Sequence, residues 1–210
     1  MIDRIHWLGH GSFRLQGPPL IYIDPWRISR SAFLADVILI SQADYAHCSP
    51  ADVNKLRGPN TMVVADAAAA ALLGGHDVQV LRPWQSLNVD RARITAVPTR
   101  PTAADDPSSP GGGLGYLIAL DYYDIYYAGS VLASLEMGCL HPDIAILPVA
   151  NSRDGFIGVE AAVEAVKMLQ PRWVIPSHWD LDQGGGYLNV RALQEAIGDL
   201  AEVFIPEQVH

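Results

Sequence analysis

The segment Val37–Pro50, VILISQADYAHCSP, constrains the fold more than any other part of the sequence. It begins with four consecutive apolar residues, which are typical of a short strand buried on both faces. A polar loop follows and carries Asp44 and His47. A Ser-Pro pair then gives the N-cap and first position of a helix. A buried strand, a short loop and a helix in succession favour a layered α/β protein.

The rest of the chain alternates short apolar segments with turn residues. The pattern predicts helices over 50–56, 66–73 and 159–169, and a last amphipathic helix with Asn189 as its N-cap. We find no repeat and no linker, so we expect one domain over residues 1–210 with mixed sheets. Strands are predicted at 5–7, 12–15, 20–23, 37–40, 62–65, 78–81, 92–97, 114–120, 124–127, 143–148, 173–175 and 203–205.

Composition restricts the partners of this protein. The chain of 210 residues has 14 basic and 23 acidic residues and a formal net charge of −9, which disfavours a nucleic-acid surface. No apolar run is long enough to span a bilayer, so we expect no membrane partner. Two cysteines are too few for a disulfide scaffold, and we expect a reduced, cytoplasmic setting. A small-molecule ligand or substrate is the expected partner, and a homo-oligomer stays open.

The polar loop has the residue types of a metal site. A hydrolytic zinc site needs three or more nitrogen or oxygen ligands and an open position for water. Asp44 and His47 are suitable ligands, and His178, at the end of a predicted strand, could join them from a distant part of the chain. Gln42 is a weak ligand and Ala46 cannot bind. We therefore predict at most one ion; the alternative is that both histidines are hydrogen-bonded residues of a cleft.

Eight segments along the chain have the order and spacing of a known family. They are WLGHGSFRL (7–15), IYIDPW (21–26), ADVILISQADYAHCSP (35–50), GYLIAL (115–120), IYYAGS (125–130), PDIAILPVA (142–150), EAAVEAVKMLQP (160–171) and VIPSHW (174–179). Together these segments resemble the metallo-β-lactamase superfamily, in the branch of L-ascorbate-6-phosphate lactonase-like, metal-dependent hydrolases. The resemblance implies a four-layer αβ/βα sandwich with two mixed sheets and a site at one edge, between the sheets.

The resemblance also implies a degraded two-metal site. The family motif His-x-His-x-Asp-His falls on residues 42–47, where His47 matches its last His, and His178 matches a late His that binds the second metal. The family's middle His has no counterpart. This chain has Gln42 and Asp44 at the positions of the first and second His of the motif, and Ala46 at the position of its Asp. Ser130 stands at the position of the family's bridging Asp. One Zn or Mn ion on Asp44, His47 and His178 is the most that the resemblance implies.

Other segments contribute pocket residues around Gln42 and Ser130. Asp24 is expected either to orient a ligand and accept from the loop backbone, or to serve as a turn carboxylate. His10 either lines the pocket or satisfies backbone groups in its Gly-His-Gly turn. The irregular loop 98–113 is expected to be either a lid or a solvated connection. Arg100 lies near its start, and its guanidinium either replaces some of the lost metal charge or faces solvent.

These observations leave two main functions open. One is a relative without standard two-metal hydrolysis that keeps the fold and pocket as a binding or assembly module. The other is a mononuclear Zn or Mn hydrolase of a small ester, lactone or phosphoester, with Asp44, His47 and His178 as ligands. Metal-free catalysis, with Asp44 and His47 as acid and base, has only the residue types in its favour.

Overall fold

The structure is a computed structural model that describes residues 1–29, 32–74, 78–99, 113–130, 138–150, 158–180 and 186–209. A first sheet of six strands has the order β1-β2-β3-β4-β5-β6. Its first two pairings are antiparallel and the other three are parallel, so the sheet is mixed. The strands are β1 (Ile5–Gly9), β2 (Ser12–Leu15), β3 (Ile21–Ile23), β4 (Val37–Leu39), β5 (Met62–Ala65) and β6 (Val78–Val80).

A second sheet has seven strands in the order β13-β12-β11-β10-β9-β8-β7. The strands from β7 to β10 pair antiparallel, and those from β10 to β13 pair parallel, so this sheet is mixed as well. The strands are β7 (Ser86–Val89), β8 (Ala92–Pro98), β9 (Leu114–Leu120), β10 (Tyr123–Tyr127), β11 (Ile144–Pro148), β12 (Trp173–Ser177) and β13 (Glu202–Val203).

The two sheets face each other across the largest hydrophobic core, and helices cover their outer faces. The first sheet is covered by α1 (Pro50–Leu56) and α2 (Ala67–Leu73), and the second by α3 (Val159–Leu169) and α4 (Gly186–Ile197). The predicted αβ/βα sandwich with two mixed sheets is thereby confirmed. In the parts of the chain that the structure describes, no helix has the length and apolar character needed to cross a bilayer.

The topology brings chemically useful residues to one edge. The parallel strands β3 and β4 of the first sheet end there, as do β10, β11 and β12 of the second. In open α/β sheets, ligands bind outside the carboxyl ends of such strands. The loop that follows β4 carries Asp44 and His47, and the loop that follows β12 begins with His178.

Two elements differ from the sequence prediction. Strand β7 was not predicted, because its residues alternate between exposed and half-buried and none of them is fully buried. The last helix begins at Gly186, so Asn189 lies inside it and the predicted N-cap is wrong. The Asn189 side chain instead donates a hydrogen bond to the Val149 carbonyl oxygen at 3.0 Å. This polar group ties α4 to the end of β11.

Asp52 fixes the start of α1 against the chain that follows β3. Its carboxylate accepts hydrogen bonds from the backbone N–H groups of Arg27, at 2.9 Å, and Ile28, at 3.1 Å. It also accepts from the Ser49 hydroxyl at 2.9 Å and from Lys55 Nζ at 2.8 Å. Burial raises the pKa of Asp52, but these hydrogen bonds outweigh that effect and lower the pKa from 3.8. The charged form therefore stabilises the fold.

We expect Asp52→Asn to lower the free energy of unfolding by about 1–3 kcal/mol at neutral pH, because the charged acceptor is lost. The lowered folded-state pKa means that this stabilisation is complete above 3.8 and disappears as the pH falls through the folded-state pKa. Urea unfolding at neutral and acidic pH measures both effects. The matched control is Asn54→Ala at an exposed position of the same helix. Equal stability of Asp52→Asn and the unchanged protein at neutral pH would contradict this account.

Candidate metal site

Three buried histidines converge where the two sheets meet. His10 lies in the turn between β1 and β2, His47 in the loop after β4, and His178 directly after β12. Their exposed fractions are 4%, 2% and 2%. Each offers a ring nitrogen, and these three nitrogens all lie within 4.8 Å of one another. His47 Nε2 and His178 Nε2 are 3.0 Å apart.

Unusual backbone conformations bring these side chains together. His10 has a φ of 52° and His178 a φ of 62°, in the left-handed region that residues other than glycine rarely adopt. The His178 backbone N–H donates to the His10 carbonyl oxygen at 3.1 Å, so the two loops hold each other. A Cβ atom on Gly11 would lie 2.6 Å from both Cε1 and Nε2 of His178. Gly11 is therefore required for the His178 ring to sit where it does.

His47 and His178 each have an oxygen atom beside Nδ1, on the side away from their mutual contact. His47 Nδ1 lies 2.6 Å from Asp44 Oδ1, and His178 Nδ1 lies 3.0 Å from the Ser177 hydroxyl. Metal-binding histidines are usually oriented in this way, by an oxygen on the nitrogen that does not bind the metal. Asp180 instead holds His10 by its backbone: it accepts from the His10 N–H at 2.8 Å, and its other oxygen, 3.7 Å from His10 Nδ1, is too far for a hydrogen bond.

The pKa values of His47 and His178 move in opposite directions. Burial strongly lowers the pKa of His178, and the nearby His47 and His10 lower it further. Burial also lowers the pKa of His47, but the hydrogen bond to Asp44 and the charges of Asp24 and Asp44 raise it more. Burial alone would raise the pKa of Asp44, yet its bond to His47 lowers it. Without a metal, a charged His47 can therefore donate from Nε2 to a neutral His178.

Asp24 supports the site with a carboxyl group that is fully buried. It accepts from the Ser41 backbone N–H at 2.7 Å and from the Ser41 hydroxyl at 2.5 Å. The Tyr127 hydroxyl lies 2.6 Å from Asp24 Oδ2 and 2.8 Å from the Gly11 carbonyl oxygen. Burial raises the pKa of Asp24, although His47 and the hydrogen bonds partly oppose this. Asp24 thus contacts the loop that carries His47 without touching the imidazole group.

Gln42 and Ser130 contact each other. The Ser130 hydroxyl donates a hydrogen bond to the Gln42 side-chain oxygen, which joins the end of β4 to the end of β10. The resemblance puts these two residues at the positions of a terminal and a bridging metal ligand. Here a neutral amide and a hydroxyl satisfy each other. The contact leaves Gln42 Oε1 engaged within the protein rather than open to an ion.

Two of the three imidazoles are spaced as they would be on one divalent ion, and the third offers a nitrogen within 4.8 Å of theirs. Zinc binds histidine nitrogen at about 2.0–2.1 Å, so two nitrogens on one tetrahedral ion lie about 3.3 Å apart. The separation of 3.0 Å between His47 Nε2 and His178 Nε2 is close to that value. Imidazole ligands suit zinc and several transition metals, and a three-histidine set leaves a fourth position for water or substrate. The chemistry of the donor set therefore agrees with a mononuclear centre.

The predicted residues occupy different places around this centre. His47 and His178 belong to the imidazole group, whereas Asp44 lies on the Nδ1 side of His47. A direct bond from Asp44 to an ion stays a prediction. Arg100 and most of the loop 98–113 lie outside the described residues. Ser41 and Tyr127 were not singled out, because a serine or tyrosine at a strand end carries no metal-binding signal of its own.

Comparisons with known proteins bear on the family and the fold. Residues 4–178 match the Beta-lactamase superfamily domain. A metal-dependent hydrolase of Thermococcus onnurineus is 28% identical over an alignment of length 216, which covers 96% of this chain and 95% of that protein. A candidate metal-dependent hydrolase from Parabacteroides distasonis has a TM-score of 0.83 at 25% identity, covering 98% of this chain and 93% of that one. A metallo hydrolase from Ignicoccus hospitalis shares the fold, with a TM-score of 0.77 at 20% identity, covering 98% and 95%.

We expect Gly11→Ala to displace the His178 ring, because the added Cβ would overlap it, and to lower the free energy of unfolding by about 1–3 kcal/mol. Chemical unfolding gives the energy, and the imidazole NMR signals of His178 report the displacement. Gly138→Ala is the control, since a Cβ there meets no atom of the described residues within 4 Å. Unchanged His178 signals in Gly11→Ala would show that the close approach is wrong.

Proposed function

The chain belongs to the beta-lactamase superfamily, and we propose that it is a metal-dependent hydrolase with a single metal ion. Its match over residues 4–178 confirms the predicted resemblance to the metallo-β-lactamase superfamily. The relatives named as metal-dependent hydrolases support the reaction class. The lactonase-like branch stays a prediction.

The convergence of three buried imidazoles is the observation that carries this proposal. His10, His47 and His178 would hold the ion, with zinc or manganese as the expected metals. A bound ion supplies Lewis acidity, which lowers the pKa of water and polarises an ester, lactone or phosphoester oxygen. The expected substrate is therefore a small molecule with one of these groups.

The chain's own residues keep the ligands in position. The Asp44 carboxylate accepts a hydrogen bond from His47 Nδ1–H, which directs Nε2 toward the other imidazoles. Asp180 holds the turn of His10 through the backbone N–H. The side chain of Asp44 is 52% exposed and that of Asp180 is 21% exposed, so Asp44 is the one of the two with more access to water. Asp44 can orient the His47 ring from the position that it already occupies, 2.6 Å from His47 Nδ1.

Among the residues that the structure describes, a second ion has no comparable set of ligands. Ala46 offers no ligand atom, and Gln42 and Ser130 are bonded to each other. A neutral amide and a hydroxyl also bring no negative charge to balance a second divalent cation. We therefore propose that hydrolysis here does not use the two-metal arrangement.

A non-catalytic binding module is the second candidate. The contact between His47 and His178 at 3.0 Å supports it, because this hydrogen bond satisfies both rings without an ion. Opposite pKa directions for the two rings suit such a metal-free pair. The two candidates differ in whether the protein takes up metal.

We expect one Zn or Mn ion per chain in protein dialysed against that metal, and loss of the ion in His47→Ala and His178→Ala. Each substitution removes one of three ligands, which leaves too few for tight binding. Elemental analysis measures the stoichiometry. The control is His141→Gln at an exposed position. Hydrolysis of a small lactone, ester and phosphoester by the loaded protein then tests the reaction.

The outcomes separate the two candidates. Stoichiometric metal that depends on His47 and His178, with hydrolysis of at least one substrate, supports the single-metal hydrolase. No metal uptake even in excess would overturn it and leave the binding module. Two ions per chain would contradict the assignment of Gln42 and Ser130 as a metal-free pair.

We expect Asp44→Asn to weaken metal affinity by about 10–100-fold, as for other partners that orient a metal-binding histidine. The neutral amide is a weaker acceptor than the carboxylate for the hydrogen bond from His47 Nδ1–H, so the His47 ring loses its fixed orientation. Competition with a chromophoric chelator measures the affinity. The charge-matched control is Glu195→Gln on the exposed side of α4. Equal affinity in Asp44→Asn would contradict the orienting role.

A further inference from the structure

We propose that the side-chain amide of Gln42 is a substrate-binding group, which donates hydrogen bonds to an oxygen of the substrate beside the imidazole group. This inference rests on the proposed hydrolase function and names the residue that recognises the reacting group. An ester or lactone carbonyl and a phosphoryl group share the chemistry that the amide requires. Each presents an oxygen acceptor on which negative charge grows during hydrolysis.

One contact fixes the direction in which the amide faces. The Ser130 hydroxyl donates to Gln42 Oε1, so this acceptor is used within the protein, and Nε2 lies on the other side of the planar amide. Among the described residues, the two N–H groups of Nε2 have no hydrogen-bond partner. Gln42 is half-buried, and its Nε2 is not one of the buried side-chain atoms without a partner. The two donors therefore reach the surface, where a ligand can contact them.

The stem of Gln42 is held as well. Gly113 has a φ of 66°, and a Cβ atom there would lie 2.8 Å from Gln42 Cγ and 2.8 Å from the Ser41 carbonyl oxygen. The chain passes this close because the backbone N–H of Leu114 donates to the same Ser41 oxygen at 2.7 Å. The donors are therefore fixed before a ligand arrives. Donors fixed in advance stabilise a developing negative charge more than mobile ones do.

The register of the second sheet relates this amide to the imidazole group. Tyr127, Ile146 and Ile175 are aligned across β10, β11 and β12. Three residues further along the outer two of these strands are Ser130 and His178, which lie at one level of the sheet. Neighbouring strands are about 4.8 Å apart, so a separation of two strands is roughly 10 Å. A small ester or phosphoester beside His178 can therefore extend to the amide that contacts Ser130.

The amide suits a substrate oxygen better than it suits an ion. Its oxygen, which is the atom that could bind a metal, is already engaged by Ser130, and its free atoms are hydrogen-bond donors. Without a ligand, water accepts from these donors at the surface. A substrate oxygen can replace that water without loss of hydrogen bonds, because it accepts in the same way.

A titration with inorganic phosphate followed by NMR tests the donor without relying on hydrolysis. We expect the ¹H–¹⁵N signals of the Gln42 side-chain amide to shift when excess phosphate is added to the protein with and without zinc. The side-chain amide of Gln194, at an exposed position of α4, is the internal control and should not shift. No shift of the Gln42 signals in either form of the protein would overturn the proposal.

Gln42→Met removes both donors and keeps a side chain of similar length. We expect it to weaken phosphate binding by about 3–10-fold, because a hydrogen bond is lost. It should also lower kcat/KM of the metal-loaded protein by about 10-fold or more, with the metal content unchanged. Gln194→Met is the matched control, and thermal unfolding checks that each variant is folded.

Ser130→Ala tests the orientation of the amide. It keeps the donors but removes the hydroxyl that fixes Oε1, so we expect a smaller loss of kcat/KM than in Gln42→Met. In the double variant it should cause no further loss, since the amide that it orients is absent. Equal losses that add in the double variant would contradict the role of the contact between Gln42 and Ser130.

The failure of this proposal differs from the failure of the proposed function. A shift of the Gln42 signals without hydrolysis of any substrate would overturn the hydrolase and keep Gln42 as a ligand-binding group. Hydrolysis with unchanged kcat/KM in Gln42→Met would overturn the role of the amide alone. Loss of metal in Gln42→Met would also overturn that role, because Gln42 would then be a metal ligand.

Discussion

The buried carboxyl group of Asp24 is the contact on which the geometry of the site depends. It accepts hydrogen bonds from the Ser41 backbone N–H and hydroxyl, just after β4, and from the Tyr127 hydroxyl at the end of β10 in the opposite sheet. Tyr127 also contacts Gly11, which lies beside His10. The hydroxyl of Tyr127 thus joins the Asp24 carboxyl group to the turn that holds His10. Burial raises the pKa of Asp24, and the charge of His47 and the hydrogen bonds from Ser41 and Tyr127 lower it in part.

The fold and the chemistry of this protein are separable. Both sheets, their helices and the edge between them follow the superfamily pattern. At the two positions where the resemblance puts a terminal and a bridging ligand, Gln42 and Ser130 form a neutral contact across the two sheets. Such a contact can hold the sheets together without an ion. Function therefore has to be argued from the side chains at this edge and not from the fold alone.

Much of the fold could be predicted from the sequence because most strands are short apolar runs bounded by turn residues. The segment around Val37–Pro50 has this character, and the Ser49 hydroxyl indeed accepts from the Asp52 backbone N–H at the start of α1. Strand β7 lacks it, since an exposed edge strand buries too little surface to impose an apolar pattern. The start of α4 was missed because a run of glycines, which ends at Gly186, indicates a turn rather than a helix.

The site was harder to predict than the fold. Motif spacing was enough to single out His47 and His178, which the structure brings together. The part that His10 plays depends on a left-handed backbone in its turn and on the space left by Gly11. Neither is visible in residue types. Asp44 lies on the Nδ1 side of His47 because of the turn that the loop makes. In this turn Asp44 also accepts hydrogen bonds from the backbone N–H groups of Ala46 and His47.

The contact between His47 and His178 spans 131 positions of the chain. During synthesis, the loop with His47 leaves the ribosome long before β12 and His178 do. A chain that ends before β12 would hold His10 and His47 without the third imidazole, and without the strand that places it. The complete imidazole group thus requires the second sheet to have formed through β12, and any ligand that needs all three rings stabilises only chains that have reached this stage.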